Sequence, residues 1–163
     1  MIRHLKFYLY YKVLPFARQA IKKIKDAKIP FIFITNGGGV TEVMKARDLS
    51  YKLDTKIETS NILLSHTPFK KYAGLYRDKN VLILGKKSCL EVASNYGFLK
   101  TVTSNCIHNN YPDIYPMREP HIENKNDDEN RIRNHLDTIS AAFIIHDPID
   151  WALDIQVVIL TFI

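Results

Sequence analysis

The sequence predicts an α/β fold with parallel strands, and three observations predict it. Short apolar runs bounded by turn residues recur at 31–34, 81–84 and 141–145, the pattern of strands buried on both faces. Stretches with apolar residues at helical spacing lie before, between and after them. The connections are mostly short, and helices alternating with strands are the arrangement that lays strands parallel.

Each element has its own local reason. The opening is basic: Arg3, Lys6, Lys12, Arg18, Lys22, Lys23, Lys25 and Lys28 accompany a single acid, Asp26. Acid-poor basic openings occur in mitochondrial transit segments, but from Leu14 onward the chain reads as folded domain and it is not Ser-rich. Phe16, Ala20, Ile24 and Ala27 recur at helical spacing, with Pro15 placed for a first turn. Pro30 breaks that helix, and the strand at 31–34 runs into Thr35, Asn36, Gly37, Gly38 and Gly39. Helical spacing resumes over 40–53 through Val43, Ala46, Ser50 and Leu53, with Thr41 as N-cap. Ser65 or Thr67, with Pro68, reads as a helix start; neighbouring Ser65 and His66 do not present a nucleophile and base to one another.

The strand at 81–84 ends at Gly85. Ser88 and Glu91 have the spacing of a capping box, Gly97 closes that helix, and 98–103 is extended. The segment 117–137 is dense in charge and asparagine, so it reads as a solvated or disordered insertion. The last strand run ends at His146, Asp147 and Pro148, with Asp147 placed to cap the next helix. Trp151, Ile155, Val158 and Phe162 then form one stripe of a terminal helix, with Trp151 in the core.

Composition excludes several classes. The chain has 163 residues, 46% hydrophobic and 25% charged, at most one globular domain, which buries roughly two thirds of its unfolded surface without disulfide or metal. Cys89 and Cys106 are therefore read as isolated thiols; no CxxC pair or helical His spacing suggests a metal site. Cys89 lies in a first helical turn, where a thiolate is favoured, but no base accompanies it and a packing role is expected. No apolar run approaches the length of a membrane span. The net charge is +6, yet no basic and aromatic motif of a nucleic-acid module is present, so no nucleic-acid partner is expected.

The feature that carries chemistry is an apolar strand leading directly into Thr35-Asn36-Gly37-Gly38-Gly39 and then a helix. In open α/β sheets, ligands bind at the carboxyl ends of strands, and glycines let backbone N–H groups approach an anion. Phosphate is the natural guest, with the Thr35 hydroxyl and the N–H groups of Asn36 and Gly37 as donors. The run is neither a Walker loop nor a GxGxxG fingerprint.

Residues 31–42 resemble motif II of haloacid-dehalogenase-like hydrolases of subclass IIA, within the branch of the cat-eye-syndrome critical region protein and its fungal mitochondrial relatives. The resemblance continues through 64–69, 81–85, 96–98 and 146–156. It implies a Rossmann-like hydrolase core with an inserted α/β (C2-type) cap domain: a partial core at 1–80, carrying motif II, and a partial cap domain at 81–163. It implies a phosphatase acting on a phosphorylated small molecule, and a mitochondrial or cytoplasmic location. Members of the family use an aspartate nucleophile in D-x-D-G and a second aspartate as acid and base. A motif II Thr or Ser holds the phosphoryl group, a Lys offsets charge, and further acids help bind Mg²⁺. An anionic nucleophile attacking an anionic ester needs such cations and aimed dipoles.

Here residues 1–8, where the nucleophile is expected, contain no Asp or Glu, and the first acid is Asp26. The motif carrying the Lys and the metal-binding acids is expected beyond Ile163. Thr35, Asn36 and Gly37 therefore carry over as a phosphate site, and Asp147 as a residue of cap-domain specificity. The nucleophile, proton-transfer acid and Mg²⁺ ligands do not, and this chain is expected to bind no Mg²⁺. Two readings follow: an incomplete, inactive chain of a phosphatase, or a non-catalytic relative that binds a ligand or partner.

Overall fold

Helices and strands alternate along the chain in a computed structural model that describes residues 8–9, 12–119 and 138–163. They fall into two compact units, Met1–Thr35 with Glu42–Leu64, and Asn36–Thr41 with Ser65–Ile163.

In the first unit, β1 (Tyr8–Leu9) and β2 (Lys12–Val13) form a short antiparallel pair. Helix α1 (Ala17–Asp26) and helix α2 (Glu42–Leu53) pack with the parallel pair β3 (Phe33–Thr35) and β4 (Ile62–Leu64), in which Thr35 lies opposite Leu64. Their core is Ala17, Ile21, Ala46, Leu49, Leu53, Ile57, Ile62 and Leu64.

Two expected stripes are rotated. Phe16 sits at the cap position, one residue before α1, and is 73% exposed; Ala17 and Ile21 are buried instead. In α2, Leu49 is buried where Val43 is not. Ser50 is half-buried because its hydroxyl donates to the Ala46 carbonyl (2.7 Å) and accepts from the Ile57 N–H (2.8 Å). Strand β3 is parallel, as expected, but alternates rather than being buried throughout. Phe31 and Phe33 pack on the core, while Ile32 and Ile34 are exposed, Ile34 to 69%. A strand with helices packed on one face alternates in this way.

The second unit is built on a parallel sheet in the order β6 (Lys100–Val102), β5 (Asn80–Leu84), β7 (Ile139–Ile144). Central β5 sends Val81 and Ile83 to one face, where Cys89, Val92, Ala93 and Tyr96 of helix α4 (Cys89–Tyr96) cover them with Phe143. Its alternate residues Leu82 and Leu84 meet Ile107 of helix α5 (Ser104–Asn110) and Leu153 and Val157 of the terminal helix, α6 (Trp151–Phe162). Gly97 closes α4 with φ +101, the left-handed geometry expected of it. Thr103 caps α5 by accepting from the Cys106 N–H.

A 3-10 turn (Thr67–Tyr72) with Pro68 at its second position leads into helix α3 (Ala73–Tyr76). Phe69 and Tyr76 rest against Phe143 with ring centroids 5.2 and 5.6 Å away. These contacts group 65–80 with the second unit.

The terminal helix reverses its expected orientation. Leu153 and Val157, at i and i+4, are buried, while Trp151 is 50% exposed and Ile155 and Phe162 are exposed with it. Apolar residues occur all round this helix, so periodicity could not select the buried face. The insertion at 117–137 lies, from residue 120 onward, outside the described residues; its start is anchored, because Arg118 pairs with Asp150 at 2.6 Å. Among the described residues no helix is long and apolar enough to cross a membrane. Leu153→Ala is expected to cost about 2–4 kcal/mol by opening a core cavity, and Ile155→Ala to stay within about 0.5 kcal/mol. Urea denaturation of both variants checks which face packs.

Candidate phosphate-binding turn

Strand β3 ends at Thr35 and α2 begins at Glu42, and the intervening residues 36–41 pack with the second unit. The Gly38 N–H donates to the Asn36 carbonyl at 2.7 Å, closing a three-residue turn about Gly37. A Cβ at Gly38 would drive into the Ile145 carbonyl. Gly39 has φ +76, and a Cβ there would stand 2.9 Å from His146 Cδ2. The Ser88 hydroxyl donates to the Gly39 carbonyl at 2.6 Å. Gly85, with φ +128, admits the His146 backbone where a Cβ would come within 2.9 Å of its carbonyl.

Two histidines near this turn make hydrogen bonds. His66 is buried, with Nδ1 2.7 Å from the Tyr96 hydroxyl. The His146 Nδ1–H donates to the Asp147 carbonyl at 2.9 Å, which fixes the ring's orientation. Of the sequence-predicted phosphate donors, Asn36 and Gly37 are exposed at the turn, and Thr35 is half-buried at the end of β3 in the first unit.

Two expectations are corrected here. Ser88 does not form a capping box: its φ −62 and ψ −16 are already helical and it makes no side-chain cap bond, whereas capping serines are extended. Its hydroxyl is committed to Gly39 instead. Asp147 does not cap α6 either. That role belongs to Asp150, whose carboxylate accepts from the Leu153 N–H at 3.1 Å and pairs with Arg118, leaving Asp147 exposed. Asp154 is half-buried; burial pushes its carboxyl above the usual range and Asp150 adds to this, while the Ser104 hydroxyl and Arg118 act in the opposite sense.

Asp147, Asp150 and Asp154 thus form no shared carboxylate site. Among the described residues, no group of three or more His, Cys, Asp or Glu could hold a metal ion. Among the described residues, the side chains nearest Gly38 and Gly39 are His66 and His146, and Ser88 donates to the Gly39 carbonyl; none of these three offers the carboxylate oxygens that Mg²⁺ prefers. Cys89 is fully buried, and burial raises its thiol pKa more than Lys86 lowers it, as its packing role requires.

Sequence reasoning missed His146 and Ser88 as partners of the turn. The available signal was that both follow closely on apolar strand runs, 141–145 and 81–84.

Parallel strands, flanking helices and a glycine turn after a strand place the chain in the class of Rossmann-like α/β proteins. Residues 7–99, more than half of the chain, match the family described as haloacid dehalogenase-like hydrolase, and the chain belongs to that family. It is 34% identical over 146 residues to a mitochondrial hydrolase of Saccharomyces cerevisiae, an alignment covering 87% of this chain and 40% of that protein. It is 33% identical over 147 residues to a cardiolipin synthase (CMP-forming)/mitochondrial hydrolase fusion protein of Schizosaccharomyces pombe, covering 86% of this chain and 23% of that one. The chain therefore spans less than half the length of either relative. A crystal structure of a hypothetical protein from Pyrococcus horikoshii shares the fold, with a TM-score of 0.50 at 23% identity over 63% of this chain and 39% of that chain.

Gly38→Ala is expected to destabilise the protein by about 1–3 kcal/mol through overpacking. Gly74→Ala, with open space around its Cβ, should be neutral or stabilise by up to about 1 kcal/mol; chemical denaturation compares them. Cys89 should resist Ellman's reagent at pH 8 in the native protein, and the thiol titre should rise on unfolding in urea.

Proposed function

We propose that this chain carries the phosphoryl-binding turn of a phosphatase that acts on a phosphorylated small molecule, and that the 163 residues bind phosphate without hydrolysing its esters. The observation that carries this reading is the turn Thr35–Gly39, set between a strand and a helix in a chain of the haloacid dehalogenase-like family. A phosphoryl oxygen would accept from the Thr35 hydroxyl and from the N–H groups of Asn36 and Gly37. Such neutral donors stabilise an anion without needing a counter-charge.

Within these 163 residues binding and turnover separate, because no carboxylate precedes Asp26 and the described side chains nearest Gly38 and Gly39, His66 and His146, are not carboxylates. On this reading residues 1–80, with motif II, are part of the hydrolase core and residues 81–163 part of the cap domain. Asp147 is assigned to substrate specificity, since it is exposed where β7 ends and adjoins His146, which packs on the turn. The mitochondrial names of both fungal relatives support a mitochondrial location for this chain as well.

The test uses the full chain. With Mg²⁺ and p-nitrophenyl phosphate, its rate should equal that of Thr35→Ala, and turnover above that control would overturn the reading. Inorganic phosphate should shift the amide resonances of Asn36 and Gly37, with Thr35→Ala weakening binding about tenfold through loss of one hydrogen bond to a charged group.

A further inference from the structure

We propose that Ser88 and His146 are positioning residues for the phosphoryl-binding turn, holding its backbone in the binding conformation before any ligand arrives. This rests on the phosphate reading above. Three successive glycines are costly to order, because glycine loses more conformational freedom than any other residue. A ligand that had to impose the turn's shape would lose that much affinity.

The structure supplies the order from elsewhere. Ser88 Oγ donates to the Gly39 carbonyl at 2.6 Å, fixing the peptide that follows Gly39. The His146 ring, oriented by its own bond to the Asp147 carbonyl, lies where a side chain at Gly39 would be. The Ile145 carbonyl closes the space at Gly38 in the same way. These groups come from the segments that follow β5 and β7, so folding of the second unit sets the geometry of Asn36 and Gly37. The Ser88 proton is committed to Gly39, and the hydroxyl acts through the turn without touching phosphate.

The experiment is an amide-resolved NMR titration of the full chain with inorganic phosphate, run on the parent, Ser88→Ala, Ser88→Thr and Ser140→Ala, with thermal melts of each. Ser88 is exposed, so its removal is not a core mutation. Ser88→Ala should weaken phosphate binding about threefold to tenfold, the worth of one net hydrogen bond, and speed hydrogen exchange at the Gly38 amide. Ser88→Thr should restore both, and Ser140→Ala should match the parent.

Equal affinity and equal exchange in Ser88→Ala, with the parent responding normally, would overturn this inference and leave the phosphate reading standing. No phosphate response at Asn36 and Gly37 in the parent would overturn both. If Ser88→Ala loses its cooperative melt, His146→Ala carries the same comparison: weaker binding supports the inference and unchanged binding overturns it.

Discussion

Strand β5 is apolar on both faces and paired on both edges, and the second unit is arranged around satisfying those four demands. Val81, Leu82, Ile83 and Leu84 are all nearly inaccessible to solvent. At about 1.5–3 kcal/mol for each side chain, an upper bound because the unfolded chain is not fully extended, they outweigh the ladder's hydrogen bonds at about 1 kcal/mol each. Parallel pairing with β7 brings the carboxyl ends of the two strands to one level, with Leu84 opposite Ile144. The Ile145 N–H to Leu84 carbonyl bond at 3.1 Å carries the pairing one step further. Gly85 and His146 meet just beyond it, and there the glycine turn is received.

That dependence explains which parts were legible in the sequence. Strand β5 was readable because burial on both faces leaves an unbroken apolar run, whereas β7 shares the apolar run but leaves Ile144 half exposed; the turn was readable because glycines directly after an apolar run mark a strand-to-helix connection. The Gly97 closure was equally plain, since a left-handed residue at a helix end has a strong chemical preference. Strand β4 went unread as a strand because three residues, Ile62 to Leu64, are too few to show a period. Helix α5 went unread because its residues, among them Asn105, Asn109 and Asn110, are weak helix formers that tertiary packing overrides.

The errors have a common physical origin. A side chain's role was inferred from spacing where partner and orientation decide it. Ser88 and Glu91 have capping-box spacing, but the distant Gly39 carbonyl offers the hydroxyl a better acceptor. Asp147 and Asp150 both precede α6, and the carboxylate that caps it is the one three residues before the Leu153 N–H. In α6 and at Phe16, apolar residues on more than one side left the buried stripe undetermined until Leu153, Val157 and Ile21 met their neighbours.

Phosphate binding at the turn without hydrolysis, as proposed above, is physically coherent. A carboxylate poised to attack phosphorus must sit close to an anion, and two unit charges 4 Å apart repel by about 1 kcal/mol in water and about 4 kcal/mol at an effective dielectric of 20. A hydrolase offsets that repulsion with cations because it needs the attack. A chain with no acid before Asp26 has no such repulsion from its opening residues to offset. The hydroxyl and N–H donors of the turn are neutral, so they do not depend on Mg²⁺ to face a phosphate. On the reading proposed above, anion binding by these donors is separable from hydrolysis, and the affinity depends on how firmly the three glycines are held.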